Sequence, residues 1–193
     1  SGDVNPESAE ASMSKSMGNP MMMHVVVKEL SRVSPGFAMG FGVSIGLVGG
    51  ALVSKGTADQ IEKWGLPIST MQMIGSWCLT EPDAGSDAFG SMRTTATPTS
   101  DGGYTLRGSK TFITNGVYGD IYIVAARTDP EAKGSRGISL FIVDKDMPGF
   151  TIARKFEKHG WRASDTAELF FDNLRLPAGS LLGEEGKGFY YIM

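Results

Sequence analysis

The sequence is poor in the residues that build metal and disulfide sites. A single cysteine, Cys78, among 193 residues excludes an intramolecular disulfide and any multi-cysteine zinc site. With only His24 and His159 beside it, a His/Cys metal cluster lacks ligands. Basic charge is short as well: 18 Lys+Arg against 21 Asp+Glu gives a net charge of −3. No surplus is left to neutralise a phosphate backbone, which argues against nucleic acid as a partner. The common phosphate and nucleophile signatures are missing too. No Gly-x-Gly-x-x-Gly follows a strand, no Walker A loop occurs, and the one Gly-x-Ser-x-Gly string, Gly42–Gly46, lies inside an uncharged apolar run rather than at a strand-to-helix elbow. The run Gly183–Gly188 has the wrong glycine order and two acids, Glu184 and Glu185, that would repel a phosphate; it reads as a flexible entry to a last helix. His159, between Lys158 and Gly160, reads as a solvated turn histidine.

Glycine is what the chain has in excess. Twenty-six Gly and nine Pro, without a collagen period, demand frequent turns and favour short strands over long helices. Hydrophobic residues at 41% and charged residues at 20% are those of a folded chain rather than a disordered one. Residues 1–20 are small and polar and are expected to form a loop or frayed arm. Helical spacing of Met22, Val25, Val26, Leu30 and Val33 predicts a helix from Met21 to Val33, ended by Pro35-Gly36. Val33–Ser54 carries no charge and has Gly42-xxx-Gly46 and Gly46-xxx-Gly50 spacing, so a membrane span must be weighed. Pro35, five glycines between Phe37 and Val53, and the lack of an aromatic belt or basic flank favour a tightly packed core helix instead. Thr57 reads as the N-cap of a helix Ala58–Trp64 closed by Gly65 and Pro67.

After Trp77 the period changes from helical to alternating. Turn signals at Asp101-Gly102-Gly103, Gly108-Ser109, Asn115-Gly116, Asp129-Pro130, Pro148-Gly149 and Asp172-Asn173 separate six apolar runs. These are Tyr104–Arg107, Thr111–Thr114, Ile121–Arg127, Ile138–Val143, Phe150–Arg154 and Glu168–Phe171. Short, regularly spaced strands without intervening helices predict an antiparallel barrel or sandwich. The expected fold class is α+β and multidomain. It comprises N-terminal helices (1–76), a middle β domain (77–178) and the start of a C-terminal helical bundle (179–193). The close Gly188–Met193 is an apolar run with no stop signal, from which we expect a piece of a longer protein.

Two segments concentrate chemistry. In Trp77–Asp87, Pro82 and Gly85 fix a loop in which Thr80 and Ser86 set hydroxyls beside exposed backbone N–H groups. Such a loop is either an ordinary rigid turn, or a seat for a planar ring with several acceptors or for a phosphate. In Lys110–Gly116 a strand ends with Phe112 and Thr114 on one face, an aromatic wall beside a hydroxyl.

Together with their surroundings these segments resemble the acyl-CoA dehydrogenase family. The likeness runs from Gly56–Gln60 through Thr80–Asp87, Gly108-x-Lys110, Ile113–Gly116, Arg127–Pro130, Gly137-Ile138 and Pro148–Phe150. It continues through Lys158-x-Gly160, Arg162-x-Ser164 and Leu182–Phe189. The resemblance implies FAD between a middle β domain and a C-terminal bundle, with residues Trp77–Ser86 lining the flavin. Trp77 and Cys78 would line the cofactor, the backbone near Leu79 and the Thr80 hydroxyl would serve its pyrimidine edge, and Ser86 would reach the diphosphate or the pantetheine arm of the thioester. Phe112, where the family often has Trp, would shield one ring face beside Ile113, and Thr114 would hydrogen-bond N5. Ser135 and Arg136 match a loop that touches the CoA portion in relatives. The implied reaction is α,β-dehydrogenation of an acyl-CoA thioester, within fatty-acid metabolism and β-oxidation. The family's catalytic Glu lies in the C-terminal domain, so no carboxylate of this sequence takes that role and no metal is expected. A homotetramer reoxidised by an electron-transfer flavoprotein, in the cytoplasm or a mitochondrial matrix, completes the implied picture. The alternatives are an acyl-CoA oxidase or flavin monooxygenase of the same architecture, or a non-catalytic CoA-binding subunit.

Overall fold

The computed structural model describes residues 20–132 and 134–193, so the arm expected over residues 1–20 lies almost wholly outside the described residues. The helical part opens with α1, Pro20–Val33. Pro35 does not simply end it. Ser34 adopts an extended conformation and its hydroxyl accepts from the Phe37 N–H, which makes it the N-cap of a new helix with Pro35 in the first turn. Proline is tolerated there because that N–H would have no helical partner anyway. This second helix runs from α2, Pro35–Phe41, through a π-helical segment, Gly42–Gly49, into α3, Gly50–Lys55. By length and composition alone Pro35–Lys55 could cross a membrane. Its Val48 and Leu52, however, are fully buried in a core shared with the sheet.

Thr57 caps α4, Ala58–Gln60, in a full capping box with Gln60. The helix is not closed by Gly65 and Pro67, as the sequence suggested. It passes through a π-helical segment, Ile61–Gly65, into α5, Leu66–Ser69. The wide turn, in which the Leu66 N–H reaches the Ile61 carbonyl, lets the chain continue past a residue that has no N–H and needs room for its ring.

The strands are β1 Gly75–Cys78, β2 Thr95–Pro98, β3 Tyr104–Thr114, β4 Ile121–Arg127, β5 Ile138–Asp144, β6 Phe150–Lys155, β7 Thr166–Leu176 and β8 Leu181–Leu182. A short terminal helix, α6, spans Gly188–Ile192. The strands form one sheet in the order β6-β7-β3-β2-β4-β5-β8, antiparallel except where β4 meets β1 and β2 in parallel.

Two expected turns are absorbed into long strands. Gly108 lies inside β3 at φ +147 beside a register shift, so it marks a bulge rather than a reversal, and only glycine fits against Thr94 there. Asp172-Asn173 likewise lies within β7, with Asn173 at φ +47.

The apolar run of β4 is explained by its position. Tyr122, Val124 and Ala126 face the β interior with Leu106, Phe141, Leu169 and Phe171. Ile121, Ile123 and Ala125 face the helices, against Val48, Leu52, Trp64 and Ile68. A strand buried on both faces reads as continuous rather than alternating hydrophobicity. Each fully buried Leu or Ile there contributes about 1.5–3 kcal/mol. Asn115, just after β3, stitches the two parts together. Its amide donates to the carbonyls of Gly40 at 2.9 Å and Gly75 at 3.0 Å.

Candidate functional site

The loop that follows β1 is held by β3. The Thr111 N–H donates to the Thr80 carbonyl at 2.9 Å, and the Lys110 ammonium donates to the Leu79 carbonyl at 3.0 Å and to Glu81 Oε1 at 2.8 Å. Glu81 accepts in turn from the N–H groups of Arg93 at 2.7 Å and Thr94 at 3.0 Å, which closes the far end of the loop. Lys110 is fully buried and Glu81 nearly so. Burial works to raise the Glu81 carboxyl, but the Lys110 charge and the bonds from Lys110, Thr94 and Arg93 outweigh it and hold the group below the usual carboxylate range. Burial lowers the Lys110 ammonium, only partly opposed by Glu81. Neither partner was singled out from sequence. Both stood in the motifs, but lysine is rarely buried, and nothing in a linear reading pairs two residues 29 positions apart.

Four residues beyond Lys110 lies Thr114, the end of the same strand. Between them the strand carries a bulge, with Phe112 at φ +56. A bulky residue in the left-handed region costs about 1–3 kcal/mol and clusters at ligand sites. The bulge breaks the strict alternation from which Phe112 and Thr114 were assigned one face. What it achieves is a Phe112 ring 65% exposed and stacked on Phe156, 5.1 Å between centroids. The hydroxyls of Thr80, Ser86 and Thr114 make no hydrogen bond to another described residue, so all three are available to a ligand.

The remaining expected residues divide by burial. Trp77 and Leu79 are half-buried against the helix-facing core. The Cys78 thiol and the Ile113 side chain lie in the β interior, so these two residues offer a surface ligand only their backbone. Burial pushes the Cys78 thiol up, and it stays protonated. Ser86 is exposed in the turns after Ala84. Arg136 lines an open groove of about 810 Å³ with Thr128, Asp129, Glu131 and Glu185, and Ser135 is half-buried beside it. Arg127 joins these two loops, donating to the Phe89 carbonyl at 2.8 Å and the Ala132 carbonyl at 3.1 Å. Among the described residues no group of three or more His, Cys, Asp or Glu could hold a metal ion.

A strand-loop junction with an exposed aromatic ring and unused hydroxyls offers a candidate seat for a flat ligand with polar edges. The donor set fits an isoalloxazine, an apolar ring system bordered by hydrogen-bonding atoms. The acyl-CoA dehydrogenase middle-domain model matches residues 76–174, and the N-terminal-domain model of the same family matches 12–72. The chain belongs to the acyl-CoA dehydrogenase family. It is 43% identical over 176 residues to the short-chain specific acyl-CoA dehydrogenase of Megasphaera elsdenii, covering 91% of this chain and 45% of that protein. A crystal structure of acyl-CoA dehydrogenase from Geobacillus kaustophilus superposes with a TM-score of 0.84 at 47% identity, over 89% of this chain and 45% of that one. An FAD complex of PigA superposes with a TM-score of 0.77 at 31% identity, over 81% and 40% of the two chains. The chain thus spans less than half the length of these relatives.

Proposed function

We propose that the whole protein is an FAD-dependent acyl-CoA dehydrogenase, and that residues 77–178 supply the β-domain half of its flavin site. The observation that carries this reading is the bonding of the Leu79–Glu81 loop to Lys110 and Thr111. That contact joins the free Thr80 hydroxyl to the strand that bears the exposed Phe112 ring and the free Thr114 hydroxyl.

When bound, FAD supplies the electron sink that accepts a hydride from the β-carbon of the thioester. The Thr80 hydroxyl and the Leu79–Thr80 backbone orient the pyrimidine edge of the ring. Thr114 offers its hydroxyl at N5. Phe112 covers one ring face and keeps water from it, and Trp77 adds apolar bulk. Ser86 serves the diphosphate or the pantetheine arm, while Ser135 and Arg136 receive the CoA portion. No carboxylate of this chain is assigned the α-proton: Glu81 is consumed by its pairing with Lys110, and the base belongs to the C-terminal helical domain that residues 179–193 would begin. By analogy with the family, the electrons pass to an electron-transfer flavoprotein, the assembly is a homotetramer, and the compartment is the cytoplasm or a mitochondrial matrix.

Anaerobic addition of acyl-CoA thioesters to the purified full-length protein tests this. Bleaching of a yellow chromophore is expected. Absence of bleaching at every chain length would refute the dehydrogenase reading, and oxygen consumption without an added acceptor would replace it with an oxidase.

A further inference from the structure

We propose that Lys110 is a positioning residue for the ring end of the flavin site, clamping the Leu79–Thr80 backbone against β3. This inference rests on the flavin reading given above and adds to it a residue that touches neither the ring nor the substrate.

A fully buried lysine needs a reason. Stability alone does not supply one, because a buried ion pair can commonly be replaced by apolar side chains of similar volume without loss. A methionine or leucine at 110 cannot donate hydrogen bonds at a fixed point, and here both bonds of the ammonium go to the loop. One holds the Leu79 carbonyl at 3.0 Å. The other reaches Glu81 at 2.8 Å, and through its carboxylate the N–H groups of Arg93 and Thr94. The ammonium therefore gathers both ends of the loop, residues 79–81 and 93–94, onto one strand. The adjacent Thr111 N–H fixes the Thr80 carbonyl, so the Thr80 hydroxyl is set from two consecutive positions of β3. Ser86 lies between those ends in exposed turns that have bonds of their own, Glu81 with Ala84 through the backbone and Asp87 with the Gly90 N–H and the Ser91 hydroxyl, none of which involves Lys110. Losing the clamp should therefore loosen recognition of the ring and leave recognition of the diphosphate in place.

The test uses the full-length protein stripped of flavin, with FAD binding followed by fluorescence quenching and ADP-ribose, which lacks the ring, as competitor. For Lys110→Met the FAD dissociation constant is expected to rise tenfold or more, while the inhibition constant of ADP-ribose stays within twofold. The double variant Lys110→Met with Glu81→Gln removes both charges and keeps an acceptor for Arg93 and Thr94. It guards against simple unfolding and should show the same split. Lys110→Arg, which retains the charge, should recover part of the FAD affinity and return the bound flavin's visible spectrum toward that of the unmodified protein. Unchanged FAD affinity in folded variants, or equal weakening of FAD and ADP-ribose, would overturn the positioning role while leaving the flavin reading intact. Failure of the unmodified protein to bind FAD would overturn both.

Discussion

The loop from Leu79 to Thr94 and the loop from Thr128 to Gly137 both follow a buried strand, yet they are fixed in opposite ways. The first is tied by one buried charge, Lys110, which lies 31 positions from Leu79 and 29 from Glu81 in the chain. Among its described residues the second is held mostly by its own neighbourhood. Asp129 accepts from the N–H groups of Glu131 and Ala132, the Thr128 N–H pairs with the Gly137 carbonyl, and half-exposed Arg127 reaches the carbonyls of Ala132 and Gly134. The contrast matches the tasks proposed for them. A rigid ring is recognised best by groups that are already in place, because ordering a loop on binding costs affinity. A long, flexible CoA chain tolerates a locally built loop that borrows little from the core.

The sharpest way to break this contrast is to remove each tether. Lys110→Met leaves Glu81 buried without a counter-ion and is expected to cost about 3–5 kcal/mol of unfolding free energy in urea titrations. Arg127→Met removes charged hydrogen bonds to the second loop, and the one to the Phe89 carbonyl of the first, which water partly replaces, and about 1–2 kcal/mol is expected. Equal losses would mean that the two loops do not differ in how they are held.

Acid titration sharpens the same point. The folded Glu81 carboxyl lies below its unfolded value, so the folded state binds fewer protons and the stabilisation is complete above the unfolded pKa, about 4.3. It is lost as pH falls from there through the depressed folded value. Glu81→Gln should flatten that part of the stability curve. A curve unchanged by the substitution would place the acid sensitivity elsewhere.

The smallest expected effect concerns the bulge. Phe112→Gly relieves the positive φ at 112 but gives up the stack on Phe156. Stability should rise by less than about 1 kcal/mol, while FAD binding weakens. A fall in both would show that the ring serves packing more than the ligand.

Much of this was legible in the sequence, and the failures have physical causes. Strands β4 and β5 are apolar on both faces and announced themselves, as did the Thr57 N-cap, whose capping box with Gln60 the structure adds. Gly108 and Asp172-Asn173 looked like reversals because bulges and turns use the same residues, and only the partner strand tells them apart. β1 and β2, four residues each, are too short for a periodic signal, and the parallel pairing of β1 with β4 is set across 46 residues. In the candidate site, Thr80, Phe112 and Thr114 are named by motif and resemblance. Lys110 and Glu81, which set the loop's geometry, carry no local signature: a lysine inside a strand reads as solvent-facing until the fold closes over it.

The account stands on the joint presentation of one flavin by two hydroxyls from different segments. Nitrogen-15 NMR of isotope-labelled FAD bound to the full-length protein reads both directly. Thr114→Val should move the N5 resonance and leave N3 alone, and Thr80→Val should perturb the pyrimidine nitrogens and leave N5 alone. If neither substitution displaces any flavin nitrogen, the hydroxyls do not face the ring and the site described here is not where the cofactor sits.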